Sequence, residues 1–108
     1  VRISNGDIVQ GSNQENAAFP SGLCAERTAL FAAGARYPDK DFLSIALAGG
    51  VYGQLGAHPA TPCGACRQVM AQYQQKSGRP MNVILIGAQK IWKFEKIDDL
   101  LPLIFDSI

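Results

Sequence analysis

The chain has 108 residues, of which 47% are hydrophobic and 18% are charged, a composition typical of one globular domain and not of a disordered segment or a multidomain protein. Ten Lys and Arg residues balance nine Asp and Glu residues, giving a net charge of +1 without runs of like charge, which argues against a protein that binds nucleic acid or another polyanion. The apolar stretches at 44–51 and 100–105 are far shorter than the roughly 18 residues that cross a bilayer, and no signal peptide follows Val1, so we expect a cytoplasmic protein with no membrane partner.

The N-terminal residues predict a β-hairpin. Val1 and Ile3 precede the pair Asn5-Gly6, and two further β-branched residues follow it. Asn-Gly is the pair that a two-residue type I′ turn favours between two strands. Val1 then lies in or just after the start of a strand, so we expect the domain to begin before this residue.

Two helices follow, each preceded by a loop. Residues 11–22 are rich in Gly, Ser, Asn and Pro and predict a loop, after which residues 23–35 carry Ala, Leu, Glu and Arg at helical spacing. Residues 49–62 hold four glycines and two prolines and also predict a loop. The second helix is predicted over residues 63–76, and Gly78 marks its end.

The remaining segments predict strands and a terminal helix. Phe42–Ala48 is an apolar run without alternation, typical of a strand buried on both faces. Asn82–Ile86 and residues 90–94 are two strands joined by three residues, a link that permits only an antiparallel pair. Residues 98–105 predict a short helix broken by Pro102. This order of elements predicts an α/β domain with a mixed sheet whose last two strands are antiparallel.

Three cysteines are placed where they can bind a metal ion. Cys24 opens the first helix, while Cys63 and Cys66 form a C-x-x-C motif at the start of the second. Free N–H groups and the helix dipole favour the thiolate at such positions. A lone C-x-x-C is by default a redox or structural motif. Three ligands with an open position describe a catalytic zinc site, whereas His58 as a fourth ligand would make the site structural.

Charged residues adjoin these cysteines. Glu26 lies two residues after Cys24, where a carboxylate beside a zinc-bound water can act as general acid and base. Three thiolates leave excess negative charge around Zn²⁺, and Arg27 and Arg67 can offset it by hydrogen bonding to sulfur. The residues around Cys24 therefore favour water over His58 as the fourth ligand.

A family resemblance rests on two segments, Cys24-Ala25-Glu26 and Pro62-Cys63-Gly64-Ala65-Cys66-Arg67-Gln68. Together they are similar to the motif of cytidine deaminases, the free-nucleoside enzymes with a three-cysteine zinc site. The resemblance implies a three-layer α/β/α fold, one Zn²⁺ per chain, and hydrolytic deamination of cytidine and deoxycytidine in pyrimidine salvage. It also implies that Glu26 is the catalytic residue and that the zinc ligands are Cys24, Cys63 and Cys66.

The family's substrate-binding segment also has a counterpart. Residues 13–19 resemble the segment that holds the ribose hydroxyls, which implies this role for Asn13 and Glu15. By the same resemblance, the backbone N–H of Ala25 would hold O2 of the base, and the Thr61 carbonyl would face the departing amine.

The C-terminal segment resembles the family as well. Leu100-Leu101-Pro102 and Phe105 are similar to a segment whose phenylalanine packs on the pyrimidine in a neighbouring subunit's site. This implies a homotetramer with composite active sites. The family's N-terminal helix and first strand have no counterpart, so residues 1–108 are expected to be a single deaminase domain without them.

Two alternatives stay open. The chemistry is the same in a deaminase of a cytosine-nucleoside analogue, as in blasticidin-type enzymes of this family. A protein of another class, a non-catalytic interaction domain stabilised by zinc, would use His58 to close the site.

Overall fold

The computed structural model describes residues 1–106 and confirms an α/β fold. The described part contains two α-helices, α1 (Ala25–Arg36) and α2 (Gly64–Ser77). Its strands are β1 (Arg2–Ile3), β2 (Phe42–Ala48), β3 (Gly50–Val51), β4 (Gln54–Leu55), β5 (Asn82–Ile86) and β6 (Ile91–Phe94). Neither α-helix of residues 1–106 is long and apolar enough to span a bilayer.

The main sheet is mixed and has the order β1-β2-β5-β6. Strand β2 runs parallel to β5, with Ile45 opposite Val83. Strands β5 and β6 are antiparallel, with Leu85 opposite Trp92, because the connection between them is too short for a crossover. The predicted antiparallel pair is therefore confirmed.

One face of this sheet carries the core. Ile45, Leu47, Val83 and Leu85 are buried and belong to one hydrophobic cluster with residues of both helices. On β2, the alternate residues Ala46 and Ala48 are exposed and line an open cavity of about 470 Å³. The prediction that β2 is buried on both faces is therefore wrong for its second half. The resemblance implies three layers, and residues 1–106 form two of them: the sheet and one layer of helices.

The two helices lie against each other over this face. Leu30 and Ala33 of α1 and Met70 of α2 are fully buried. The helices approach closely at Gly34, where a Cβ would lie 2.4 Å from the Tyr73 hydroxyl. This close contact lies toward the C-terminal ends of both helices.

The N-terminal hairpin forms, but with a different turn. Ile3 accepts a hydrogen bond from the Gly6 N–H and donates one to the Asp7 carbonyl, both at 2.9 Å. A type I′ turn needs positive φ at both central residues, yet of the pair Asn5-Gly6 only Gly6 has one, at +95°. The loop therefore has three residues, and the predicted type I′ turn is wrong.

Two other predictions fail outside the main sheet. The loop over residues 49–62 contains the two-stranded hairpin of β3 and β4. The predicted terminal helix over 98–105 is absent from the described residues. Only a 3₁₀ turn, Ile97–Asp99, forms in this part of the described chain. Leu103 takes a positive φ of 56°, and this conformation ends any helix after Pro102.

Candidate metal centre and active site

The N-termini of α1 and α2 bring the three cysteines together. Cys24 is the N-cap of α1 and Cys63 is the N-cap of α2, both with extended backbone. Cys66 lies in the first turn of α2, three residues after Cys63, so the two thiols share one side of the helix. The cysteines are free, and among residues 1–106 they form a group that could hold a metal ion.

The spacing of the sulfurs fits zinc. The Cys24 and Cys63 sulfurs are 3.9 Å apart, and those of Cys63 and Cys66 are 3.5 Å apart. Tetrahedral zinc with Zn–S bonds of about 2.3 Å places its sulfur ligands about 3.8 Å from each other. Thiolates are also soft ligands, a class that selects zinc over hard cations such as Mg²⁺ and Ca²⁺. The three side chains therefore need little movement to bind the ion.

The environments of the two α2 thiols differ. A hydrogen bond from the backbone N–H of Cys66 lowers the pKa of the Cys63 thiol, as expected for a thiol at a helix N-terminus. Burial raises the pKa of the Cys66 thiol, and hydrogen bonding to Glu26 raises it further. Exposed Cys63 is thus the more readily ionised of the two.

Glu26 lies in the first turn of α1, beside the cysteine cluster. Its side chain is only 8% exposed, and it contacts the Cys66 thiol. It also lines the cavity of about 470 Å³ next to β2. A carboxylate held with so little water contact, next to three metal-binding thiols, is placed to exchange protons with a molecule bound at that metal.

The two arginines next to the ligands have different partners. Arg27 donates from Nη2 to the Cys24 sulfur at 3.5 Å, and this bond, together with the nearby Cys66 thiol, raises the pKa of its guanidinium. Arg67 donates instead to the carbonyl oxygens of Pro62 and Leu100, at 2.9 and 2.8 Å. The expected contact of Arg67 with sulfur is not made, because one residue beyond Cys66 a helical side chain points about 100° away around the axis.

Asn13 and Ala25 meet at the start of α1. The Ala25 N–H donates to Asn13 Oδ1 at 2.8 Å. The loop carrying Asn13 runs close to the helix, since a Cβ on Gly11 would lie 2.5 Å from the Ala29 nitrogen. Glu15 is exposed in the same loop. The two groups expected to hold the base and the sugar are thus adjacent and bonded to each other.

The other expected site residues lie in exposed segments. Thr61 is exposed just before the buried Pro62, and the Phe105 side chain is 66% exposed. Sequence reasoning missed that Gln68 and Gln72 both donate to the Phe105 carbonyl, at 2.7 and 3.1 Å. The signal in the sequence is their spacing of four residues, which places two helical side chains next to each other and lets them share a partner.

The loop before Cys63 is fixed by the β5–β6 turn. The Ala88 N–H donates to the Gly56 carbonyl at 2.8 Å, and Gly87 packs directly on the backbone of residues 57–59. No residue pattern in the sequence indicates this contact. His58 lies in that loop, is exposed, and is not part of the metal-binding group found among residues 1–106.

Comparison with protein families places the chain among zinc-dependent deaminases. The profile of the cytidine and deoxycytidylate deaminase zinc-binding region matches residues 1–78. The chain is 42% identical over 72 residues to the cytidine deaminase of Halalkalibacterium halodurans, covering 65% of this chain and 48% of that protein. It is also 42% identical over 72 residues to the cytidine deaminase of Sporosarcina psychrophila, covering 64% and 46%. The aligned part thus spans about half of these relatives.

The fold agrees with the sequence comparison. The crystal structure of cytidine deaminase from Burkholderia pseudomallei superposes with a TM-score of 0.76 and 35% sequence identity. The match covers 96% of this chain and 76% of that one.

Proposed function

The chain belongs to the cytidine and deoxycytidylate deaminase zinc-binding family, and from this premise we propose that it hydrolyses cytidine and deoxycytidine to uridine and deoxyuridine, releasing ammonia, in pyrimidine salvage. The observation that carries the proposal is the cluster of Cys24, Cys63 and Cys66 with the buried Glu26 beside it. Three thiols with a shielded carboxylate supply both a metal site and a proton carrier.

Each part of the site has a proposed task. Cys24, Cys63 and Cys66 would hold zinc, which when bound would lower the pKa of water at the site and so supply a nucleophile at neutral pH. The Glu26 carboxylate accepts one proton as water adds to C4, delivers it to N3, and later carries a proton to the amino group as the C4–N4 bond breaks. Arg27 neutralises part of the thiolate charge through its bond to Cys24. Water and the cytosine nucleoside are thus converted to the uracil nucleoside and ammonia.

Substrate binding is proposed for the exposed residues around this centre. Asn13 and Glu15 hold the sugar hydroxyls, the Ala25 N–H holds O2 of the base, and the Thr61 carbonyl faces the departing amine. Support comes from the position of Ala25 and Asn13 at the same helix N-terminus as Cys24 and Glu26. A nucleoside lying there has its base near the thiols and its sugar on the exposed loop.

We also propose a homotetramer in which Phe105 enters a neighbouring site. Gln68 and Gln72 hold the backbone of Phe105 while its ring stays 66% exposed, so the ring is presented outward from a fixed point. Phe31 and Tyr73 line an open, mostly apolar cavity of about 540 Å³ on the helical side. Both features suit contacts between copies of the chain.

A cytoplasmic location is proposed from the thiols. The metal site needs Cys24, Cys63 and Cys66 reduced, and a reducing compartment keeps them so.

His58, which the non-catalytic alternative requires as a fourth ligand, is exposed and outside the cluster. The structure therefore favours the enzyme over the interaction domain.

Ammonia release from cytidine by the zinc-loaded protein tests the proposal. Glu26→Gln keeps the shape of the side chain but cannot carry the proton, so kcat should fall by about 10²- to 10⁴-fold with zinc content unchanged. Glu95→Gln, the same change at an exposed position after β6, should keep full activity. If Glu26→Gln retains more than about a tenth of kcat, the role of Glu26 is refuted. Turnover of a cytosine-nucleoside analogue without turnover of cytidine would mean that the analogue, and not cytidine, is the substrate.

A further inference from the structure

Two groups proposed to bind different parts of the substrate are hydrogen-bonded to each other. Asn13 Oδ1 accepts the Ala25 N–H at 2.8 Å, although the sugar is proposed to bind Asn13 and the base carbonyl to bind Ala25. We propose that Asn13 is an exchangeable cap: O2 of the pyrimidine displaces the Asn13 oxygen from the Ala25 N–H, and the released amide then turns to the sugar. This inference rests on the proposed function.

The cap forms because the first turn of α1 needs an acceptor. The first N–H groups of a helix have no partner within the helix, and an N-cap side chain usually satisfies one of them. Cys24, the N-cap of α1, makes no such bond. Asn13 supplies the acceptor from 12 residues upstream. A carbonyl oxygen of a bound base can satisfy the same N–H equally well.

The exchange requires only a side chain to move. Gln14 and Leu23 are joined by two backbone hydrogen bonds of 2.8 and 2.9 Å, which fix the loop beside α1. Asn13 itself is exposed, so its amide can rotate about the side-chain bonds without displacing the backbone. The bond between the Ala25 N–H and Asn13 is a neutral one at the surface. Displacing it lowers the affinity for the base by about 2- to 10-fold, equivalent to about 0.5–1.5 kcal/mol.

The consequence is discrimination between nucleosides and free bases. A base alone must displace Asn13 and gains nothing from the released amide. A nucleoside recovers the loss because the amide then binds its sugar. The same side chain therefore weakens binding of the base and strengthens binding of the nucleoside.

Calorimetric titration of the zinc-loaded protein with uracil and uridine tests this coupling, since both bind without turnover. Asn13→Ala removes the cap, so uracil affinity should rise by about 2- to 10-fold while uridine affinity falls relative to it. Asn13→Asp keeps an acceptor and adds a charge that binds a helix N-terminus more tightly, so uracil affinity should fall. Glu15→Ala is the matched control: it should weaken uridine and leave uracil unchanged.

The outcomes separate this inference from the proposed function. If the wild-type protein binds uracil and uridine but Asn13→Ala leaves uracil affinity equal or lower, the cap is permanent and the inference is overturned alone. If the wild type binds neither ligand, the proposed function fails and the inference with it. The amide resonance of Ala25 in ¹H–¹⁵N spectra gives a second readout. It should shift on uracil binding in the wild type and should already be shifted in ligand-free Asn13→Ala, within an otherwise unchanged spectrum. An Ala25 resonance that uracil leaves unmoved contradicts the exchange.

Discussion

Gly87→Ala should loosen the loop that leads to Cys63. Gly87 lies in the short turn between β5 and β6, where an added Cβ would come within 2.7 Å of the Pro59 nitrogen, 2.8 Å of the His58 carbonyl carbon and 2.9 Å of the Ala57 oxygen. All three are backbone atoms, so no side chain can rotate away to relieve the clash. Either the turn or the loop must shift.

Both ways of relieving the clash cost a similar free energy. Forcing a methyl group into a filled space destabilises by about 1–3 kcal/mol. Moving the loop away instead breaks the bonds from Ala88 to Gly56 and from Gln89 to Ala57, each worth about 0.5–1.5 kcal/mol. For a domain of this size, 1 kcal/mol corresponds to about 4–8 °C in Tm, so we expect Tm to fall by about 4–24 °C.

Thermal unfolding of the zinc-loaded protein measures the effect. Gly49→Ala is the control, because a Cβ there would meet only the Ala60 Cβ, at 3.4 Å, and should change stability by less than about 0.5 kcal/mol. Zinc affinity should also fall in Gly87→Ala, since the displaced loop leads to Cys63. An unchanged Tm for Gly87→Ala would refute the claim that this turn fixes the loop.

Three further predictions follow from the contacts around the helices. Arg27→Gln removes the bond to a ligand sulfur and should lower zinc affinity by about 10- to 100-fold in competition with a chromophoric chelator; equal affinity would exclude a role for Arg27 at the metal. In the zinc-free protein, Cys63 should be alkylated at lower pH than Cys66. The pKa of the Cys63 thiol is lowered and that of the Cys66 thiol is raised, so Cys63 reaches its reactive thiolate form first as the pH rises. Mass spectrometry after labelling at a series of pH values measures the order, and alkylation of Cys66 before Cys63 would contradict this prediction. Gln74→Ala leaves two backbone N–H groups without their acceptor and should lower the free energy of unfolding by about 1–3 kcal/mol, whereas exposed Gln75→Ala should have little effect in the same denaturant titration.

Elements whose residues carry a local pattern were predictable from the sequence. Phe42–Ala48 and Asn82–Ile86 have the predicted bounds, because dense apolar runs of strand length specify buried strands. The helices begin one residue after Cys24 and Cys63, since an N-cap residue keeps an extended backbone. Here local preference and tertiary packing act in the same direction.

The errors lie where distant contacts decide the local structure. Residues 98–105 have a helical composition, yet Arg67, Gln68 and Gln72 bind carbonyl oxygens of Leu100 and Phe105. These bonds hold the segment in an irregular path. No pattern within the segment itself encodes partners on α2.

The centre of the site could be found from the sequence, but its surroundings could not. Cysteines at two helix starts and a glutamate beside one of them follow from spacing and from the family resemblance. The direction of Arg67 and the bond between Asn13 and Ala25 depend on how loops are folded over the helix starts. Loop paths are set by contacts such as that of Gly11 with α1, which spacing does not reveal.

The position of the thiols on two helices also makes the metal a crosslink. Cys24 and Cys63 are 39 residues apart in the chain, so the unfolded chain does not hold its thiols in the arrangement that binds the ion. Because the ion binds the folded chain and not the unfolded one, zinc at about 1,000 times its dissociation constant adds about 4 kcal/mol to the free energy of unfolding, a large part of the stability of a small domain. An ion bound by Cys24, Cys63 and Cys66 would thus also tether the two helices. Chains that fail to acquire zinc would lose this tether, unfold more often and be cleared by proteases, so that the folded population would consist mainly of metal-loaded molecules.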